Sequence, residues 1–79
     1  MFAFKSEEQK KEYLTISVSM LKSNVIYPSG EIKEVDIKFN KNLGVELNKI
    51  LNDLSKENWT LKSSVLAQDM LFILERTKQ

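Results

Sequence analysis

The stretch from Leu43 to Arg76 constrains this chain more tightly than any other, because it reads as an amphipathic helix, a sharp stop at Asn58, and a hairpin whose strands begin at Trp59 and Met70. Leu43, Leu47, Ile50, Leu51 and Leu54 recur at the three-and-four spacing that places them on one helical face, while Glu46, Asn48, Lys49, Asn52, Asp53 and Lys56 fall mostly on the other. Asn40 or Asn42 can cap the start, since a short side-chain acceptor there satisfies an orphan N–H of the first turn. Asn58 stands where helices commonly leave through a left-handed residue, and Asn is the usual substitute for Gly in that conformation. The helix is therefore predicted to stop at about Glu57. Beyond it Trp59, Leu61 and Val65 alternate with Thr60, Lys62 and Ser64, the period of a strand covered on one face.

A two-residue turn at Gln68 and Asp69 would set Val65 opposite Phe72, Ser63 opposite Leu74 and Lys62 opposite Glu75. That register keeps Val65 and Phe72 on the face of Trp59 and Leu61 and pairs opposite charges outside. It also turns Leu66, Leu71 and Ile73 away from the helix, giving the second face of the sheet its own apolar patch.

In the first half of the chain, Tyr13 to Leu21 is the clearest strand, with Leu14, Ile16, Val18 and Met20 on one side and Tyr13, Thr15, Ser17 and Ser19 on the other. Tyr27, Pro28, Ser29 and Gly30 form a turn that leads into a return strand from Glu31 to Phe39. Val35, Ile37 and Phe39 share a face there, but Ile32 is out of phase. With Met20 opposite Ile37 and Val18 opposite Phe39, either a bulge near Lys22 to Asn24 brings Ile26 opposite Ile32, or the tip twists free and exposes Val25, Ile26 and Tyr27. The expected fold is α+β: a small antiparallel sheet of about four strands, in the order β-β-α-β-β, with one helix packed on one face. Residues 1–79 form a single domain, in which Phe2, Phe4 and the polar run to Glu12 are either a frayed arm or an arm docked on the open sheet face or on a partner.

One resemblance bears on the same stretch. The run Leu47 to Leu61, with Glu57, Asn58, Trp59 and Leu61 at its end, and the strand closing Leu71, Phe72, Ile73, Leu74, Glu75, Arg76, resemble a family of short bacterial and phage domains of unknown function. That family shows a strand starting near a Tyr, a Leu-Asn-x-Leu helix, a Glu-Gly-Trp-Glu-Leu segment and a strand closing in Phe-x-x-Arg. Glu57, Trp59 and Leu61 match in place, Asn58 replaces the family's Gly, and Tyr13 can stand for its early Tyr. About half the chain is covered, and the hairpin from Ser23 to Phe39 is longer than the usual connection. The resemblance implies a small antiparallel sheet with one helix across it and supplies no catalytic residues.

Composition narrows the function classes. A chain of 79 residues buries only about 60 to 65 % of its unfolded surface, too little for a core plus a deep enclosed pocket. It has no Cys and no His, which removes disulfides, a thiolate nucleophile, a Cys-rich zinc site and a hydrolytic triad. Glu31, Glu34, Asp36, Glu46, Asp53, Glu57, Asp69 and Glu75 fall on outer strand faces, the polar helix side or turns, and Gly30 and Gly44 are isolated, so neither paired acid–base chemistry nor a phosphate loop is indicated. No catalytic, cofactor or metal residues are assigned. No apolar run approaches a membrane span, and the opening Met1 to Glu8 lacks a signal peptide, so a cytoplasmic protein is expected. Net charge is +1 with both signs mixed, which does not build the field of a dedicated nucleic-acid binder. Lysine outnumbers arginine eleven to one, and Asn and Ile are plentiful, which suggests the AT-rich genome of a low-GC bacterium or its phage.

Two classes of function remain. The first is a protein-interaction module, a homodimer packed sheet to sheet through Leu21, Leu66, Leu71 and Ile73 with help from Phe2, Phe4 and Tyr13, that binds another protein, such as a phage or mobile-element inhibitor of a host system. The second is a weak nucleic-acid or nucleotide binder using scattered lysines with Tyr13 or Tyr27, or the polar face of Thr15, Ser17 and Ser19 beside Lys22 and Lys38. Salt separates the two, because phosphate contacts weaken steeply with it. Trp59, next to the helix stop, reads as a core anchor and not as a stacking platform.

Overall fold

A computed structural model describes residues 10–78, which form five strands and one helix. Strand β1 (Lys11–Val18) lies at the centre of the sheet, because its alternation buries Leu14, Ile16 and Val18. The others are β2 (Ser23–Ile26), β3 (Ile32–Val35), β4 (Thr60–Leu66) and β5 (Met70–Thr77), and the helix α1 spans Leu43–Ser55. Their order in the sheet is β3-β2-β1-β5-β4, with every neighbouring pair antiparallel. The α+β class and the single helix agree with the sequence reading; the strand count does not.

The fifth strand arises at Ser19 to Lys22. The strand expected to run to Leu21 ends at Val18, where the Ser19 hydroxyl bonds the Lys22 carbonyl and accepts the Lys22 N–H at 3.1 Å. This side-chain-held turn folds β2 back onto β1, with Val18 opposite Ser23 and Thr15 opposite Ile26. Met20 and Leu21 are consequently turn residues in solvent, and the expected Met20–Ile37 and Val18–Phe39 pairs do not form. Neither a bulge nor a free tip is needed: Ile26 does lie opposite Ile32, and Val25 is buried. The turn at Tyr27 to Gly30 is as expected, with Gly30 at φ 95 and its N–H bonded to the Tyr27 carbonyl at 2.9 Å. The return strand stops at Val35. Ile37 still enters the core, and the fully buried Ser23 hydroxyl donates to its carbonyl at 2.6 Å, holding the post-strand segment against β2.

Asn42 precedes the helix but does not cap it with its side chain. Its Oδ1 accepts the Lys38 N–H at 2.6 Å and its Nδ2 donates to the Asp36 carbonyl at 3.2 Å, so it ties down the loop that delivers the helix. Leu43, Leu47, Ile50, Leu51 and Leu54 all face the core, with Leu54 the most deeply buried of them. At the exit, Trp59 N–H bonds the Leu54 carbonyl at 3.1 Å and Asn58 N–H bonds the Ser55 carbonyl at 3.0 Å, while Asn58 adopts φ 72. This is a Schellman stop, and the buried Leu54 and Trp59 supply the hydrophobic contact that accompanies it.

The β4–β5 hairpin departs from the expected register by one residue. Three residues, Ala67 to Asp69, separate the Leu66–Met70 pair, and a bulge between Leu61 and Ser63 leaves Lys62 without a direct partner. Val65 therefore lies opposite Leu71, on the face away from the helix, and Leu66 lies opposite Met70, on the helix side. Lys62 still reaches Glu75, at 3.8 Å.

Two stability outcomes follow. Asn58→Gly should leave stability unchanged or raise it by up to about 1 kcal/mol, whereas Asn58→Val should lower it by about 1 to 2 kcal/mol; equal melting temperatures for the two variants would show that a left-handed residue is not needed there. Leu54→Ala should cost about 2 to 5 kcal/mol and Leu47→Ala, from a half-buried site, clearly less in urea denaturation. The reverse ranking would mean the helix is seated on its N-terminal turns.

Candidate interaction surface

Cross-strand partners share a face of a sheet, so the registers fix what lies on the side that α1 does not cover. Ile32, Ile26, Thr15, Ile73 and Ser63 form one row across all five strands, and Glu34, Asn24, Ser17, Leu71 and Val65 form the next. Tyr13 stands beside Glu75 and Thr60 in a third. The apolar members are Ile73, Leu71 and Val65 toward β4, Ile26 and Ile32 toward β3, and Tyr13. Ile32 is 62 % exposed, Tyr13 50 % and Val65 46 %.

One end of this face is electrostatically closed. Glu75 lies 3.3 Å from Lys11 and 3.8 Å from Lys62, so a carboxylate sits between two ammonium groups. These three also line a groove of about 590 Å³ with Asn58, Thr60 and Arg76, whose own ion pair is made with Glu12. Elsewhere Lys38 pairs with Asp36 at 3.0 Å and Lys49 with Glu46 at 3.4 Å. Of the residues expected against phosphates, Thr15 and Ser17 are flanked by Ile26, Asn24, Ile73 and Leu71, while Ser19 lies in the turn, bonded to the Lys22 backbone.

The structure thus brings together three of the residues singled out from sequence, Tyr13, Leu71 and Ile73. It separates Leu21, which is in the Ser19–Lys22 turn at 90 % exposure, and Leu66, which is on the helix side at 74 % exposure. Tyr27 packs partly buried against the core. Phe2 and Phe4 lie outside the described residues. Val65, Ile26 and Ile32 are additions: the bulge at Lys62 turns Val65 outward, and the Ile26–Ile32 pair is the signal that could have placed the other two.

On the helix side, Arg76 joins three parts of the chain. Its Nε donates to Glu12 Oε2 at 2.6 Å, its Nη1 donates to the Glu57 carbonyl at 2.9 Å, and its guanidinium lies 4.2 Å from the centroid of the Trp59 ring. Trp59 is 4 % exposed, with the cation against its face, which is the arrangement of an anchor. A recess of about 210 Å³ beside it is lined by Tyr27, Glu31, Glu57 and Arg76, whose ion pair and carbonyl bond are made within the chain. Arg76 was not singled out from sequence, although its being the one arginine among twelve basic residues was the available signal.

Among the described residues, no three His, Cys, Asp or Glu side chains are grouped to hold a metal ion, and no helix is long and apolar enough to cross a membrane. No family model, curated protein or solved structure matches this chain.

Arg76→Ala should destabilise the fold by about 1 to 3 kcal/mol, since it strips a carbonyl and a carboxylate of a charged donor. Arg76→Lys should recover less than half, because a lysine lacks the fork and the flat face. Urea unfolding followed by Trp59 fluorescence reads both, and a lysine variant as stable as the unmodified chain would reduce the junction to simple charge pairing.

Proposed function

We propose that this chain is a protein-interaction module that works as a homodimer and acts by occupying a surface of another protein. The observation that carries the reading is the sheet face that no other described residue packs across, where Ile73, Leu71, Val65, Ile26, Ile32 and Tyr13 stand on the side opposite the helix. Contiguous apolar patches of a few hundred Å² are often functional in small proteins. At about 25 cal/mol per Å², such a face supplies several kcal/mol of drive. Association costs remove most of that, and a standard interface takes about 800 Å² from each partner. A few hundred Å² from one copy falls short of that, and two copies side by side come closer to it. At its border the carboxylate of Glu75 stands between Lys11 and Lys62, which leaves a net of one positive charge there and only a weak field for a phosphate backbone. A small inhibitor of a host system, encoded by a phage or mobile element, has these attributes: a short chain, mixed charge and one adhesive face.

A photo-crosslinking residue in place of Ile73 or Ile26 should capture a protein in cells that make the chain. The same probe at Lys49, on the solvent side of α1, should not. Ile73→Lys should lower capture from position 26 by about tenfold or more, because a charge in the middle of the face cannot be buried unpaired. Equal adducts from Lys49, or adducts consisting of nucleic acid, would overturn the reading.

A further inference from the structure

The geometry points to β4 as the seam of a two-fold dimer, formed when its free edge pairs antiparallel with the β4 edge of a second copy. Among the described residues the sheet ends in β3 on one side and β4 on the other. An edge strand presents unpaired N–H and C=O groups, and proteins that remain monomeric guard such edges with short length, charge, proline or bulges. The β3 edge is guarded: it has four residues, with Lys33 and Glu34 both exposed. The β4 edge has seven residues, all of them exposed, and the four beyond its bulge, Ser63 to Leu66, are uncharged where β3 carries Lys33 and Glu34. The one charge of β4 is Lys62, which sits in the bulge, and the ammonium is drawn sideways to Glu75 at 3.8 Å instead of standing over the edge. From Ser63 to Gln68 the chain carries no charge and no proline.

The chemistry of this edge favours its own copy as occupant. Antiparallel pairing about a two-fold axis is self-complementary in its backbone donors and acceptors. It also requires facing positions to lie on the same side of the sheet. Val65 against the partner's Val65 meets that requirement, and it sets Ser64 against the partner's Leu66, both on the helix side. Lys62 and Asp69 bound the uncharged stretch, so this alignment sets opposite charges, and not like charges, at each end of the seam. Leu66 and Val65, conspicuously exposed for apolar residues of a strand, become neighbours of the partner strand.

The consequence deepens the proposed function and rests on it for its use. The row Ser17, Leu71, Val65 continues across the seam into the partner's Val65, Leu71 and Ser17, so two half-sized faces become one band on one side of a ten-stranded sheet. The joined band comes closer to the area a standard interface takes from each partner.

Light scattering of the full chain at high micromolar concentration should give the mass of a dimer. Val65→Lys alone and Val65→Glu alone should each weaken the dimer by about tenfold or more, since like charges meet at the axis, and an equimolar mixture of the two should restore it. Ile73→Lys, on the face but away from the seam, should leave the dimer intact. In the unmodified chain, amide exchange at Ser63 to Leu66 should slow as concentration rises, a readout that holds even if a position-65 variant fails to fold. A monomeric unmodified chain, no restoration on mixing, dissociation by Ile73→Lys, or edge protection independent of concentration would each overturn the seam. Loss of the dimer with capture at Ile73 retained would leave the partner-binding reading standing, and loss of capture with the dimer retained would do the reverse.

Discussion

A helix of thirteen residues is about 20 Å long and carries one apolar stripe, so it can seal one face of a five-stranded sheet and has nothing to offer the other. The remaining features are arranged around that limitation. The side under the helix takes Leu14, Ile16, Val18, Val25 and Leu74 into a continuous core, with Trp59 and Ile37 sealing it from the segments beyond the strands. The opposite side is left with alternating isoleucines, hydroxyls and a tyrosine. Such a face is neither polar enough to be inert nor apolar enough to be a second core.

The junction at the end of the helix shows how a small core is held in a chain that has no cysteine. Arg76 reaches it from the last strand and meets the first strand through Glu12, the helix exit through the Glu57 carbonyl, and the anchor Trp59 through its ring. Three separated pieces of chain are fixed by one planar side chain, a task that any of the eleven lysines would perform poorly. The Schellman stop serves the same end from within the helix, since the left-handed Asn58 delivers Trp59 to the core in a single residue.

Much of this was legible in the sequence where local chemistry and periodicity agreed. The helix face, the stop at Asn58, the turn at Tyr27 to Gly30 and the burial of Trp59 each follow from residues that have few alternatives. The Ser19–Lys22 turn was not legible because it contains neither Gly nor Pro, and Met20 continues the alternation of Leu14, Ile16 and Val18 straight through it. A serine side chain closes that turn, and serine also belongs on the polar side of an ordinary strand. The bulge at Lys62 was hidden for a related reason: Lys62 meets Glu75 in both registers, so the charge pairing that supported the simpler hairpin is satisfied by the bulged one as well. From that single slipped residue came the misplacement of Val65 and Leu66, and with it the composition assigned to the surface patch.

The strand order has a kinetic side. The central strand β1 pairs with β5, the last strand of the chain, and the Lys78 N–H closes onto the Lys10 carbonyl at 2.8 Å. The contacts that define the core therefore join segments with four other elements between them, and long-range pairing of this kind carries a high loop-closure cost and slow folding. As the chain leaves the ribosome, β1 and β2 can form their hairpin early, but Leu14 and Ile16 have no covering neighbour on the β5 side until Met70–Thr77 has emerged. Until then the nascent chain would expose a half-finished sheet whose open edge is β1 itself.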